Sequence, residues 1–372
     1  MTALVPQTTT PTTPDRPGEA ALTALAVDGT LVAPEVAARL LATEARLRSA
    51  RSPNTLRALA ADLHVWQTWC RSSGHIALPA TPTAVAAFLD ALATERAPAT
   101  LRRYLASIAA LHRAARLPDP TKDEDVRLAR AGAARTWAAA RRTAGQSTRP
   151  RQAPGLTADA MAAILATYGP TGPTTAIDQR DVVLVLVARD LLARREELVA
   201  LELADLTPAR DGGATILIRR SKTDQVGEGA VGYLAPDTLR AIRAWLATVA
   251  ATGADARTGR LLRSVHVTGR IGRALHAQKV PAILKKLGAR AAPALETLGI
   301  DPAALSGHSC RVGMAQDLVA AGLELPAIMQ AGRWRTSAMV ARYAERLLAA
   351  QGAVARYHQG TRPMDAAHRR KD

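Results

Sequence analysis

The stretch from Gly307 to Gly313 carries two side chains that could act together on a phosphate group. His308 and Arg311 stand three residues apart, so both lie on one face if this stretch begins a helix. An imidazole can move a proton near neutral pH, and a guanidinium can bind a phosphate through two parallel hydrogen bonds. Farther along, the hydroxyl of Tyr343 could serve as a nucleophile. Taken alone, His308 and Arg311 are more simply interpreted as solvated side chains on a helix surface. A functional interpretation therefore depends on the rest of the chain.

Arg194 and Glu197 show the same spacing of three residues. The dense apolar run that precedes them, from Asp181 to Leu192, predicts a buried helix that ends near Arg194. The two side chains could form an ordinary ion pair within that helix. They could instead place Arg194 on a phosphate while Glu197 orients a neighbouring side chain.

Lys222 is one of only 6 lysines in a chain that contains 43 arginines. Because this chain uses arginine for ordinary positive charges, a lysine at a special position suggests a role that arginine cannot fill, such as releasing a proton. Lys222 is therefore either an exposed lysine in a turn or a general acid. Trp334 is most simply explained by core packing, and Tyr343 by a place in the core or on a helix surface.

The composition favours a protein that binds a polyanion. The 372 residues carry a net charge of +17, which indicates nucleic acid before a membrane surface. No apolar run is long enough to span a bilayer, and the N-terminus lacks a signal-peptide pattern. With only Cys70 and Cys310, a disulfide framework or a zinc cluster is excluded. We therefore expect a cytoplasmic protein that uses no metal and no cofactor.

The first half of the chain predicts a helical domain over residues 34–143, after a disordered Thr- and Pro-rich tail at residues 1–33. Helix starts are expected near Pro34, at Ser52-Pro53, at Thr81-Pro82 and near Pro98, with a last helix from Glu124 to Arg142. Between residues 96 and 151, twelve arginines and one lysine face only four acidic residues. This excess is either a solvated basic face or a DNA-backbone contact. The candidate contacts are Arg102, Arg103, Arg141 and Arg142.

A polar linker at residues 144–155 separates this domain from a second one at residues 156–358, and a basic tail follows at residues 359–372. The second domain is predicted to hold three short strands, and to be helical after them to about residue 358. The expected strands are Leu201–Leu206, Ala214–Ile218 and Val231–Leu234. The chain is thus expected to be mainly α, with one small antiparallel sheet.

Read in order, the residue types Arg, Lys, His-x-x-Arg, Trp and Tyr resemble the tyrosine recombinases, or phage integrase family. The resemblance covers roughly residues 35–358, and the ordered set is far more specific than any single member. The matching segments are Ala193–Leu198, Ser221–Thr223, Gly307–Gly313, Ile328–Trp334 with Tyr343 nine residues later, Trp69–Arg71, Leu111–Arg113 and Leu117-Pro118.

The resemblance implies that Tyr343 attacks the scissile phosphate, becomes linked to the 3′ end and frees a 5′ hydroxyl. Arg194 and Arg311 would stabilise the charge on the pentavalent phosphate. Lys222 would protonate the departing 5′ oxygen, and His308 would handle the proton of the nucleophile.

Two further residues would support this chemistry. Glu197 would hold the arginine and histidine side chains, and Trp334, at a position that is histidine in most members, would pack beside the phosphate and donate its indole N–H. Arg333 departs from the family pattern because it stands where members have a small residue, which leaves the packing next to Trp334 an open question.

The resemblance also implies a two-domain C-shaped clamp on double-stranded DNA, formed by a SAM-like core-binding bundle and the catalytic domain. Four protomers would act on two sites through a Holliday junction, with a terminal helix exchanged between neighbours, whereas the free protein would be a monomer or weak oligomer. Two other functions remain open at this point. One is DNA relaxation by a type IB topoisomerase, which shares this chemistry, and the other is DNA binding without catalysis.

Overall fold

The computed structural model describes residues 34–221, 228–350 and 352–360. The chain divides into two compact units, with the boundary between Pro150 and Arg151. The predicted tail at residues 1–33, most of the predicted tail at residues 359–372, and Lys222 with its loop lie outside the described residues.

The first unit contains five helices among the residues described. They are α1 (Pro34–Ala50), α2 (Pro53–Ser73), α3 (Pro82–Ala91), α4 (Pro98–Ala115) and α5 (Glu124–Thr143). The predicted starts of α2 and α3 are confirmed: Ser52 Oγ accepts from the backbone N–H of Thr55, and Thr81 Oγ1 accepts from that of Ala84. In each helix proline fills the first position, where no intrahelical N–H is needed.

Aromatic rings and one histidine hold this first unit together. Trp66 is fully buried, meets Phe88 edge-on at 5.1 Å between ring centroids, and donates its indole N–H to Ala77 O at 3.0 Å. His112 is also buried: its Nε2 accepts from the backbone N–H of Ala80 at 3.0 Å, and its Nδ1 lies 2.9 Å from Ile108 O. Burial lowers the pKa of His112, so the neutral ring is the form that fits here.

The second unit combines a three-stranded antiparallel sheet with helices, which confirms the predicted fold class. The strands are β1 (Leu206–Pro208), β2 (Ala214–Ile218) and β3 (Ala230–Leu234), in the order β1-β2-β3. The helices are α6 (Ala158–Ala166), α7 (Ala176–Asp190), α8 (Arg195–Ala200), α9 (Pro236–Ala251), α10 (Val280–Arg290), α11 (Ala292–Thr297), α12 (Ser309–Ala320), α13 (Leu325–Gly332), α14 (Ala338–Tyr343), α15 (Glu345–Ala350) and α16 (Ala353–Gly360).

The central apolar helix differs from its prediction at both ends. It begins at Ala176 rather than Asp181, because Thr175 caps it by accepting from the backbone N–H of Asp178. It ends at Asp190, since Leu192 adopts a left-handed conformation with φ of 45°. Arg194 is therefore not the end of this helix but the residue immediately before the next one, α8.

Two other predictions for this unit are wrong. Residues 201–205 do not extend β1, because Leu203 N donates to Gly259 O and Leu261 N to Leu201 O, which ties this segment to a distant part of the chain. The chain is also not helical throughout after the sheet: residues 252–276 run irregularly and include a bridge between Val265 and Ile271. Over the part of the chain that the structure describes, no helix is both long and apolar enough to cross a membrane.

Candidate active site

Arg194 and Glu197 form a tight unit at the start of α8. The backbone of Arg194 is extended, which lets its N–H donate to Glu197 Oε2 at 3.1 Å while its Nη1 donates to Oε1 at 2.6 Å. The Glu197 side chain is only 3% exposed. Burial opposes ionisation, but the hydrogen bonds from Arg194 and the charge of Arg333 outweigh it and hold the pKa of Glu197 below its usual value. The carboxylate is thus ionised at neutral pH and fixes one face of the Arg194 guanidinium.

Arg311 is the third residue of α12 and is almost completely buried. Its Nη1 donates to Leu192 O and its Nη2 donates to Gly332 O at 2.5 Å. Its guanidinium stacks over the Trp334 ring, 4.5 Å from the centroid. Burial, with the charges of Arg194 and Arg333, lowers the pKa of Arg311 to about 10, so it remains a fixed cation at neutral pH.

Trp334 and Tyr343 pack against each other beside Arg311. Their ring centroids are 5.6 Å apart with the planes tilted by 56°, and both side chains are buried. Tyr343 is the last residue of α14, and its backbone carbonyl accepts from Gln316 Nε2 at 3.1 Å and from Gln152 Nε2 at 3.3 Å. The end of the helix that carries the candidate nucleophile is therefore anchored to α12 and to the segment before α6.

Two glycines of the matching segments allow this close packing. A Cβ at Gly313 would lie 2.0 Å from the carbonyl oxygen of Leu156, whose N–H donates to Ser309 O at 2.9 Å. A Cβ at Gly332 would lie 2.3 Å from the Trp334 ring. Only glycine lets α12 approach the residue 156 backbone and lets the Trp334 ring pack against position 332.

Arg333 joins this cluster, although the sequence did not predict a role for it. Its Nη2 donates to Glu197 Oε2 at 2.7 Å and its Nη1 donates to Leu191 O at 3.1 Å. Its φ of 52° lies in the left-handed region that glycine favours at the end of a helix. The signal that could have identified it is an arginine at a position where the family has a small residue.

The other two predicted catalytic residues are less closely defined. His308 immediately precedes α12 and is exposed, and its carbonyl accepts the N–H of Val312 at 2.9 Å. It thus lies at the N-terminal end of the helix that carries Arg311, and its role stays a prediction. Lys222 lies outside the described residues. The structure therefore brings together five of the seven predicted residues, namely Arg194, Glu197, Arg311, Trp334 and Tyr343.

The four arginines predicted to contact DNA lie on α4 and α5 of the first unit. Arg102 and Arg142 are exposed. Arg103 Nη2 is 3.0 Å from the buried Asp62, and the Arg141 guanidinium lies 5.1 Å from the centre of the Trp137 ring. Two of the four are thus held by neighbours in the same unit, and a contact of any of them with DNA stays a prediction.

Comparison with known proteins identifies the relatives of this fold and site. The profile of the phage integrase family matches residues 155–348, and that of its N-terminal SAM-like domain matches residues 44–117. An integrase/recombinase xerD homolog of Selenomonas ruminantium is 29% identical over 82% of this chain and 85% of its own length. The recombinase cre of Escherichia phage P1 is 26% identical over 84% of this chain and 89% of its own length.

Solved structures show the same fold. A XerH site-specific recombinase bound to a palindromic difH substrate, in a post-cleavage complex, superposes with a TM-score of 0.56 at 14% identity and covers 91% of this chain and 94% of its own. A lambda integrase dimer bound to a COC′ core site has a TM-score of 0.51 at 15% identity, and the match covers 87% of this chain and 80% of its own. With the family profile matching more than half of its length, the chain belongs to the phage integrase family and is a tyrosine-type enzyme of DNA strand cleavage and joining.

Proposed function

We propose that this chain is a site-specific DNA recombinase that cuts and rejoins DNA through a 3′-phosphotyrosine intermediate. The observation that carries the proposal is the buried contact of Arg311 with Trp334, and of Trp334 with Tyr343. A fixed cation and the candidate nucleophile thus both contact one indole ring. The relatives described above are themselves named as recombinases, which supports the same assignment.

The charges suit a phosphodiester in its transition state. Breaking this bond needs an in-line nucleophile, a proton for the departing oxygen and fixed positive charge around the equatorial oxygens. Arg311 remains charged at neutral pH, and Arg194, with a side chain 20% exposed, can reach a phosphate that approaches from solvent. Glu197 holds Arg194 in place through its side chain and its backbone. We assign charge stabilisation to these two arginines.

Proton transfer falls to the remaining two residues. His308, exposed at the start of α12, would accept the proton of Tyr343, since an imidazole is the side chain suited to proton transfer near neutral pH. Lys222 would protonate the 5′ oxygen, since a lysine can release a proton where an arginine cannot. The tyrosine ester would conserve the energy of the broken bond, so the second strand can be joined without ATP.

We further propose that four protomers assemble on two DNA sites and exchange strands through a Holliday junction. The support is the apolar surface of the two helices that follow Tyr343. Leu348 on α15 is 36% exposed and Val354 on α16 is 72% exposed. Docking of this surface on a neighbouring protomer would bury it, and a head-to-tail arrangement of that kind closes into a ring. A type IB topoisomerase acts alone and has no need of such a surface.

The experiment starts by identifying a target site: duplexes that bind the protein are selected from a pool of random sequences. A plasmid with two copies of the selected site is then incubated with the protein. We expect deletion or inversion of the DNA between the copies. Relaxed plasmid without rearrangement would identify a topoisomerase instead, and a nicked substrate that traps no covalent protein–DNA adduct would leave only DNA binding.

A further inference from the structure

Arg333 links three separate elements of the second unit. It closes α13, its Nη1 donates to the carbonyl of Leu191 just after α7, and its Nη2 donates to Glu197 on α8. The carbonyl of the next residue, Leu192, accepts from Arg311. Two consecutive carbonyls after α7 therefore hold two different guanidiniums, and Arg333 sits directly beside the proposed phosphate site.

This placement is costly for the backbone. The φ of 52° is disfavoured for any residue with a Cβ, and glycine would adopt it without strain. Arg333 is one of three non-glycine residues with positive φ in the part of the chain that the structure describes. A strained backbone beside a proposed active site raises the question of what the side chain does there.

The side chain is also buried at a cost. It is only 12% exposed, and its Nε is buried with no hydrogen-bond partner among the described residues. Removing a cation from water is unfavourable unless a paired anion compensates it. Glu197 supplies that anion, and it accepts from Arg194 and Arg333 on the same oxygen, Oε2. The position of the carboxylate is thus set by both arginines.

The charges of the surrounding arginines indicate what the contact of Arg333 with Glu197 does. Arg194 and Arg311 face one carboxylate, Glu197, which would cancel half of their charge. Arg333 offsets Glu197 and so restores the positive charge of the pocket. Without Arg333, Glu197 Oε2 would lose one of its two donors, and the carboxylate would be free to turn and carry the Arg194 guanidinium away from a phosphate.

We infer that Arg333 is a positioning residue of the active site, which fixes the Glu197 carboxylate so that Arg194 and Arg311 present their charge to the scissile phosphate. The inference rests on the proposed function. It assigns a role in the reaction to a residue that replaces a small side chain in the family pattern. Arg333 itself need not touch the DNA.

The test compares Arg333→Gly with Arg333→Lys in single-turnover cleavage at saturating DNA. Glycine relieves the backbone strain, so any loss of rate comes from the side chain. We expect the cleavage rate of Arg333→Gly to fall roughly 10- to 100-fold, the range that small misplacements in an active site cause. Millimolar guanidinium ion should restore part of this rate in the glycine variant. Lysine keeps the charge but lacks the planar two-armed guanidinium, so its cleavage rate should fall between that of the parent protein and that of the glycine variant.

A pH profile separates positioning from simple stability. Arg333 helps to hold the pKa of Glu197 down, so its removal should move the acid limb of the cleavage profile to higher pH. Arg116→Gly is the matched stability control, because Arg116 also ends a helix with a positive φ, of 56°, and is exposed. It should stabilise the chain slightly and leave the acid limb in place.

The outcomes distinguish the inference from the proposed function. An unchanged rate and acid limb in Arg333→Gly, with an active parent protein, would overturn the role of Arg333 alone. A parent protein that cleaves no selected site would overturn both. The ion pair itself is checked without activity by thermal unfolding of Arg333→Gly, Glu197→Gln and the double variant. Strictly additive effects would show that the two side chains do not interact and would also reject the inference.

Discussion

Glu197→Gln removes one negative charge from the centre of the arginine cluster while keeping the shape of the side chain. The carboxylate accepts three hydrogen bonds, from Arg194 N at 3.1 Å, Arg194 Nη1 at 2.6 Å and Arg333 Nη2 at 2.7 Å. An amide offers one oxygen, and its NH₂ group must face at least one of these donors. The change therefore leaves buried donors without a partner and three guanidiniums without a counter-charge.

The magnitude follows from these contacts. Hydrogen bonds to charged groups contribute about 1.5–3 kcal/mol each, and breaking one partner of a buried ion pair costs about 3–5 kcal/mol. Arg194 is 20% exposed and can regain water, so the lower end applies. We expect the free energy of unfolding of the second unit to fall by about 3 kcal/mol. For a unit of this size, its Tm should then drop by roughly 6–12 °C.

Thermal unfolding by circular dichroism measures this effect, with Glu196→Gln as the control. Glu196 is the preceding residue of the same helix, but its side chain is 57% exposed and its nearest arginine nitrogen is 3.6 Å away. Its substitution should change Tm by less than about 2 °C. Equal shifts in the two variants would refute the buried charge network.

The pH dependence gives a second check on the same variant. Because the pKa of Glu197 is depressed by folding, its contribution is fully present above the unfolded value of about 4.3. The contribution is lost as the pH falls below that value and through the folded pKa. The gap in Tm between the parent protein and Glu197→Gln should therefore be constant from pH 7 to 5 and narrow below about pH 4.3.

Three further predictions concern other parts of the chain. Lys222→Arg keeps the charge but releases no proton at neutral pH, so its cleavage rate should fall sharply. A substrate with a 5′-bridging sulfur should restore much of the rate of this variant. If the variant cuts the sulfur substrate no faster, Lys222 is not the acid. Burial lowers the pKa of His112, so stability should decline as the pH falls below about 6.5. In thermal unfolding, His112→Asn should flatten the dependence of Tm on pH in this range. An unchanged dependence would show that another group causes it. A chain that ends at residue 345 should bind one DNA site but fail to pair two in light scattering, and a normal two-site complex would contradict the assembly proposed.

Local signals predicted the first unit well. The starts of α2 and α3 depend on Ser52-Pro53 and Thr81-Pro82, where the cap and the proline are adjacent in sequence. The strand Ala214–Ile218 was likewise predicted with its observed bounds. At residues 201–205, where a strand was predicted, the backbone bonds to residues about 60 positions away, and no local pattern records that pairing.

The site could be predicted as a set of residue types but not as a set of contacts. Arg194 was expected at the end of a long helix, and the left-handed turn at Leu192 that separates it from α7 has no sequence signal, since leucine disfavours that conformation. The contact of Arg333 with Glu197 joins residues 136 positions apart. The sequence shows only that an arginine stands where a small residue is usual. That departure marks Arg333 as unusual but does not identify Glu197 as its partner.

The most direct measurement of the central claim is to identify the amino acid that becomes linked to DNA. A nicked duplex carrying the selected site traps the intermediate, and peptide mass spectrometry then locates the nucleotide on the chain. We predict a nucleotide on Tyr343, with no adduct from Tyr343→Phe and full adduct from Tyr357→Phe, a change at a tyrosine that is 65% exposed on α16. Adduct formation that persists in Tyr343→Phe, or a nucleotide found on any other residue, would contradict the account.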